Sequence, residues 1–142
     1  EIEGVRFVND SKATNVHALC SALRAMPAGD SPKNIWLIAG GQDKGLDFHA
    51  AGPEIAKRVK GAFLIGEARK QISAAWALFS PCELVANLVE GLAEARRKAV
   101  PGDVVLLSPA CASFDMFDSY EHRGRAFCQL LAELGADTRT GV

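Results

Sequence analysis

Short apolar runs rich in β-branched residues alternate along this chain with longer stretches in which apolar residues recur at helical spacing. The short runs predict strands and the longer stretches predict helices. The predicted strands are 5–8, 35–39, 62–65, 83–85 and 104–107, and the predicted helices are 16–26, 47–59, 67–78, 88–99 and 120–134. Strands that alternate with helices form right-handed crossovers. We therefore expect one Rossmann-like α/β domain of three layers, with a mostly parallel sheet and helices on both faces.

Two of the predicted helices begin at capping residues. Asp47 stands at the N-cap position of one helix, where its side chain can accept a backbone hydrogen bond. Asn87 and Glu90 have the spacing of a capping box, with Asn in place of the usual Ser or Thr. At the end of the chain, the polar residues after Gly135 are expected to fray.

Composition is that of an ordinary globular protein and excludes several classes of function. Of the 142 residues, 49% are hydrophobic and 23% are charged, and the formal net charge is −1. This charge is unsuited to binding nucleic acid or an anionic membrane surface. No apolar run approaches the ~20 residues that span a bilayer, and the opening lacks a signal peptide's basic start. A start without Met, almost directly on a strand, predicts that the chain is a piece of a longer protein.

The four cysteines (Cys20, Cys82, Cys111 and Cys128) are widely spaced and form no Cys-x-x-Cys pair. Zinc sites use ligands at close, paired spacings, so we expect no metal site built from these thiols. Free thiols are typical of a reducing compartment, which predicts a cytoplasmic protein.

Three loops that each follow a predicted strand contain the residues best suited to chemistry. They are residues 9–15, 40–47 and 108–114, called here loop 1, loop 2 and loop 3. Between them they offer two lysines, several hydroxyls, amides, acids and flexible glycines. In an open α/β sheet, ligands collect at the carboxyl ends of the strands, where helix N-termini add positive dipole ends. The loops together predict a site for a small dianion.

Each loop also has a plainer interpretation. Loop 1 could simply cap the helix that follows it, and Lys12 and Lys44 could be solvated surface charges. Gly40 and Gly41 could only turn the chain. The sequence contains no Gly-x-Ser-x-Gly, no Gly-x-Gly-x-x-Gly and no Gly-x-x-x-x-Gly-Lys-Ser/Thr, the motifs of hydrolases, dinucleotide sites and triphosphate sites. The pattern alone therefore predicts a binding domain for a small anion.

Four segments, in order along the chain, resemble the C-terminal domain of the Mur ligases. They are Asn-Asp-Ser-Lys-Ala-Thr-Asn at 9–15, Gly-Gly-Gln-Asp-Lys-Gly-Leu-Asp-Phe at 40–48, Leu-Ser-Pro-Ala-Cys-Ala-Ser-Phe-Asp at 107–115 and Tyr-Glu-His-Arg-Gly at 120–124. The first is similar to the segment of the type that adds D-glutamate to UDP-N-acetylmuramoyl-L-alanine. The Asp-Asn-Pro-Arg of the type that adds diaminopimelate or lysine, and the Asp-Gly-Ala-His-Asn-Pro of folylpolyglutamate synthases, do not occur.

The resemblance covers essentially the whole chain and implies a cytoplasmic, monomeric, three-domain ligase of peptidoglycan biosynthesis. Residues 1–142 would be its single C-terminal, amino-acid-binding domain, while an N-terminal domain holds the UDP end and a central domain holds ATP and Mg²⁺. ATP would phosphorylate the muramoyl-alanine carboxylate, and the amine of D-glutamate would attack the acyl phosphate. The chain alone is expected to bind D-glutamate weakly and to turn over no ATP.

The same resemblance implies which residues bind the amino acid. Thr14, Lys44 and Ser113 would bind the two carboxylates of D-glutamate. The Phe114 backbone and the Tyr120 ring would lie nearby, although Leu and Phe are more familiar at these two positions.

Loop 1 would also face the nucleotide. The resemblance puts Asp10 against the ATP ribose and Lys12 near the phosphates, with Asn9 as a further nucleotide contact. It implies no catalytic residue and no metal ligand in this chain. Two alternatives stay open: a sibling ligase with another acceptor amino acid, and a non-enzymatic ligand-sensing module that has kept the fold.

Overall fold

The central element of the structure, a computed structural model, is a parallel sheet of five strands. The structure describes residues 2–26, 33–42, 45, 47–111, 113 and 116–139, with the backbone alone for 134–139. The strands are β1 (Arg6–Asn9), β2 (Ile35–Gly40), β3 (Val59–Ile65), β4 (Cys82–Leu84) and β5 (Val104–Leu107). The helices are α1 (Val16–Ala25), α2 (Gly52–Arg58), α3 (Arg69–Trp76), α4 (Leu88–Lys98) and α5 (Tyr120–Arg139), with a 3₁₀ turn at Phe48–Ala51.

The sheet has the order β1-β5-β2-β3-β4, and all four pairings are parallel. Successive strand residues enter two different cores: Leu37 and Leu106 lie in one, while Ile38 and Leu107 lie in the other. This alternation requires both faces of the sheet to be apolar and covered. The predicted three-layer α/β architecture is therefore confirmed.

Helices α1, α2 and α3 cover one face through residues such as Leu23, Ile55 and Trp76, whereas α4 and α5 cover the other through Leu92 and Phe127. The helix that follows β2 thus packs on one face of the sheet, and the helix that follows its neighbour β5 packs on the other face. Such a reversal opens a crevice between the carboxyl ends of the two strands, where ligands bind in sheets of this kind.

Several predicted boundaries differ from the structure. Asp47 makes no side-chain cap bond, and a 3₁₀ turn precedes the short helix α2. Strand β3 begins at Val59, inside the range predicted as helix. Helix α5 continues to Arg139, beyond the predicted end at residue 134. The cap at Asn87 is confirmed, since its side chain accepts a hydrogen bond from the Glu90 amide.

At the amino ends of the strands, Asp103 connects three segments. Its carboxylate accepts hydrogen bonds from Trp36 Nε1 at 3.0 Å, from Lys60 Nζ at 2.9 Å and from the Val100 amide at 3.0 Å. Because Asp103 is 4% exposed, these partners offset the cost of burying its charge. This edge is stabilised independently of the three loops at the opposite edge.

The four cysteines are free thiols: Cys20 and Cys111 are buried, Cys82 is half-buried and Cys128 is exposed. Burial raises the pKa of the Cys20 thiol and that of the Cys82 thiol above the ordinary value. Over the described part of the chain, no helix combines the length and apolar content needed to cross a membrane.

Candidate functional site

Loops 1, 2 and 3 follow β1, β2 and β5, which are neighbours in the sheet, so their described residues meet at one edge. Backbone hydrogen bonds join them directly. The Ala110 amide of loop 3 donates to the Ala13 carbonyl of loop 1 at 2.9 Å, and the Gly40 amide of loop 2 donates to the Pro109 carbonyl at 2.9 Å. The predicted convergence of the three loops is therefore present in the fold.

Loop 2 begins with two glycines whose backbone conformation is unfavourable for any other residue type. Gly40 has a φ of 119° and Gly41 a φ of 144°, values that L side chains rarely adopt. A Cβ on Gly40 would lie 2.0 Å from the Ile65 carbonyl oxygen. The glycines therefore allow a close approach of loop 2 to the end of β3, as well as turning the chain.

Loop 1 is held by its own side chains. Asp10 accepts a hydrogen bond from Ser108 Oγ of loop 3 at 3.0 Å, and Asn9 Oδ1 accepts one from the Ser11 amide at 3.1 Å. Asn15 caps α1 by accepting from the Ala18 amide at 2.8 Å. The plainer interpretation of loop 1 as a helix cap is thus correct for Asn15, whereas Asp10 is held by a bond to a distant loop.

Ser113 of loop 3 has a buried hydroxyl that makes no hydrogen bond with the described residues. The residue is 2% exposed, and its Oγ has no hydrogen-bond partner within the described part of the chain. Its carbonyl accepts hydrogen bonds from the Met116 and Phe117 amides, which turn the chain toward α5. Most buried hydroxyls in native proteins have a hydrogen-bond partner, so Ser113 stands out among the described residues of this edge.

Two open cavities flank loop 1. One, of about 430 Å³, is lined by Asn9, Lys12, Tyr120 and residues of α5. The other, of about 650 Å³, is lined by Asp10, Lys12 and one face of α1. The two predicted binding residues Thr14 and Ser113 are not among the residues that line either cavity.

The predicted site residues differ in how exposed they are to solvent. Lys12 is exposed, Thr14 is half-buried, and Tyr120 is 44% exposed at the start of α5. Lys44 and Phe114 lie outside the described residues, so their predicted contacts stay predictions. In the described ranges, no group of three His, Cys, Asp or Glu side chains is arranged to hold a metal ion.

The family described as Mur ligase, glutamate ligase domain, matches residues 1–111. The chain belongs to this Mur ligase family. The match spans the sheet and two of the three loops in full, together with the first part of loop 3.

Curated relatives agree with the Mur ligase match. The chain is 47% identical over 131 residues to the UDP-N-acetylmuramoylalanine–D-glutamate ligase of Chlorobaculum tepidum, covering 92% of this chain and 27% of the relative. It is 45% identical over 134 residues to the ligase of the same name from Pseudomonas fluorescens, covering 94% of this chain and 30% of the relative. The chain therefore spans less than a third of the length of these relatives.

Solved structures share the fold. A murein peptide ligase from Psychrobacter arcticus superposes with a TM-score of 0.62 at 9% identity, over 92% of this chain and 28% of that one. A folylpolyglutamate synthase from Thermotoga maritima gives a TM-score of 0.50 at 12% identity, over 69% of this chain and 24% of that one. At these identities the likeness concerns the fold alone.

Sequence reasoning assigned no role to two buried polar residues of the site. Ser11 is 5% exposed and Arg123 is 1% exposed, and hydrogen bonds join them across 112 positions of the chain. Both residues stand in segments that carry the Mur ligase resemblance.

Proposed function

We propose that residues 1–142 form the C-terminal, amino-acid-binding domain of a longer ATP-dependent ligase of peptidoglycan biosynthesis. The ligase adds D-glutamate to UDP-N-acetylmuramoyl-L-alanine in the cytoplasm and acts as a monomer. Support comes from the relatives that carry this name at 44–47% identity over more than nine-tenths of the chain. By itself the domain binds D-glutamate and is inactive, because the domains that hold the UDP end and ATP lie elsewhere.

The observation that carries this proposal is the hydroxyl of Ser113 in loop 3, which is buried and has no hydrogen-bond partner among the described residues. In the proposal Ser113 donates a hydrogen bond to one carboxylate of D-glutamate. Thr14 and Lys44 supply the other donors, while the Phe114 backbone and the Tyr120 ring border the amino acid. Hydroxyls give direction and a lysine gives a point charge, which together suit a small dicarboxylate.

Selectivity follows from the same donors. A neutral amino acid would leave the ammonium group of Lys44 without its counter-charge, and unpaired polar groups in a closed site are costly. The contribution of this domain to the reaction is to hold the amine beside the activated carboxylate as the domains close. We assign no general base to this chain.

The nucleotide-facing half of loop 1 also fits its proposed ligand. Asp10 accepts one hydrogen bond, from Ser108 Oγ, and a carboxylate has about four acceptor positions, which leaves capacity for ribose hydroxyls. Lys12 is exposed and is free to reach a phosphate, and Asn9 lines the neighbouring cavity. When bound, ATP would supply the phosphoryl group that activates the muramoyl-alanine carboxylate, and Mg²⁺ is assigned to the central domain.

An acceptor panel tests the proposal. The full-length gene product is incubated with ATP, Mg²⁺ and UDP-N-acetylmuramoyl-L-alanine, and phosphate release is measured with D-glutamate, L-glutamate, L-lysine or diaminopimelate. We expect release with D-glutamate at a rate at least tenfold above the others. Preference for lysine or diaminopimelate would show a sibling ligase. No release with any acceptor, together with D-glutamate binding, would show a ligand-sensing module.

A further inference from the structure

A buried arginine joins two loops of the site to the helix that follows them. Arg123 lies in the first turn of α5 and is 1% exposed. Its Nη2 donates to the Ser11 carbonyl at 2.7 Å, its Nε donates to Ser11 Oγ at 3.0 Å, and its Nη1 donates to the Cys111 carbonyl at 3.1 Å. One guanidinium group therefore contacts loop 1 and loop 3 at the same time.

The Ser11 hydroxyl extends this connection to the start of α5. While it accepts from Arg123, it donates to the Tyr120 carbonyl at 2.7 Å. Gly124 allows the helix to approach so closely, because a Cβ there would lie 3.2 Å from Asn9 Nδ2 and 3.3 Å from Ser11 Cβ. Loop 1, loop 3 and the first turn of α5 are thus held as one unit.

This arrangement depends on the shape of the arginine side chain. The planar guanidinium presents several donors in a fixed fork, whereas a lysine is a single point charge. Ser11 precedes Thr14 by three residues, and Cys111 precedes Ser113 by two. The fork that joins their loops therefore acts together with the backbone bond from Ala110 to Ala13 to set the distance between these two proposed carboxylate ligands.

We infer that Arg123, acting through Ser11, is a positioning residue that holds the loop 1 and loop 3 donors at the separation a dicarboxylate requires. The inference rests on the proposed function, because it concerns the same amino-acid site. Asp10 is anchored separately, by its amide to the Leu107 carbonyl at 2.7 Å and by its carboxylate to Ser108. Asp10, the proposed ribose contact, is therefore held without Arg123.

This separation of anchors predicts a selective kinetic effect in the full-length gene product. Arg123→Lys should raise the KM for D-glutamate about tenfold or more, the effect of losing one hydrogen bond to a charged group. The KM for ATP should change less than about threefold, because Asp10 keeps its own contacts. Ser11→Ala, a milder change that keeps the carbonyl contact, should act in the same direction.

Arg58 provides a matched control at the opposite edge of the sheet. Its Nη1 donates to the Leu23 carbonyl at 2.9 Å and to the Met26 carbonyl at 3.1 Å, so it too joins backbone segments. Arg58→Lys should lower the melting temperature while leaving the KM for D-glutamate unchanged. A purely structural arginine behaves in this way.

The comparison has decisive outcomes. If Arg123→Lys and Ser11→Ala lower the melting temperature as Arg58→Lys does, yet leave the KM for D-glutamate within about twofold of wild type, the positioning role is overturned. Failure of both variants to fold would also overturn it, since the role would then be structural. A wild type that does not use D-glutamate overturns the proposed function first, before any variant is compared.

Discussion

The hydroxyl of Ser113 can be tested because a binding group and a stabilising group behave differently when they are removed. Ser113→Ala deletes a buried hydroxyl that has no hydrogen-bond partner in the described chain. Ser80→Ala is the matched control: Ser80 is 4% exposed, and its Oγ donates to the Val59 carbonyl at 2.9 Å. Both substitutions remove a hydroxyl oxygen from a buried position. The Ser80 hydroxyl has a hydrogen-bond partner, and the Ser113 hydroxyl has none among the described residues.

The expected changes in the free energy of unfolding differ in size and sign between the two variants. Ser80→Ala leaves the Val59 carbonyl without this donor, which should lower the free energy of unfolding by about 1–3 kcal/mol. Ser113→Ala breaks no hydrogen bond among the described residues and removes a desolvated hydroxyl. The free energy of unfolding should therefore stay within ~0.5 kcal/mol of wild type or rise by up to ~1 kcal/mol. In the full-length gene product, Ser113→Ala should nevertheless raise the KM for D-glutamate about tenfold.

The assay is urea unfolding of the ligand-free chain, followed by the fluorescence of Trp36 and Trp76. Equal slopes against urea would show that the variants unfold from comparably compact states, which allows their free energies to be compared. A Ser113→Ala variant destabilised as much as Ser80→Ala would refute the reasoning, because the hydroxyl would then have a structural partner.

Three further perturbations follow from the fold. Gly40→Ala should lower the free energy of unfolding by about 3 kcal/mol, because the added Cβ would meet a backbone carbonyl of β3. The control is Gly102→Ala, since Gly102 also has a positive φ but has open space around it. In a urea titration Gly102→Ala should lower the free energy of unfolding by less than Gly40→Ala. Asp103→Ala should cost about 3 kcal/mol in the same titration, since it leaves a lysine and two other donors unpaired, and a loss below ~1 kcal/mol would contradict this. Because burial raises the pKa of Cys20 and of Cys82 above 9.0, the native thiols should react with iodoacetamide only at higher pH than in urea, as peptide mass spectrometry would measure.

The architecture was predictable because it depends on short-range pattern. The short apolar run of β5 is typical of a sheet covered on both faces. In the structure Val104 and Leu106 pack in one core, and Val105 and Leu107 pack in the other. The rule that ligands collect at the carboxyl ends of such strands then brought the three loops together. The family was likewise predictable, since its segments lie within those loops.

What could not be predicted depends on contacts between distant residues. No local pattern pairs Ser11 with Arg123, because the partners are far apart in sequence and meet only after the sheet has formed. The boundaries at Asp47 and Val59 failed for a related reason: packing against the sheet overrides the local helical pattern. Capping at Asn87 succeeded because its partner, Glu90, is only three residues away.

The most direct test of the central claim follows the methyl group of Thr14 by NMR in the full-length gene product labelled at threonine methyls. The signal is assigned by its absence in a Thr14→Ser variant. Titration with D-glutamate should shift this signal in a saturable way, and the same concentration of L-glutamate should shift it less. An unmoved Thr14 signal at concentrations that saturate the enzyme would contradict the assignment of these loops to the amino acid.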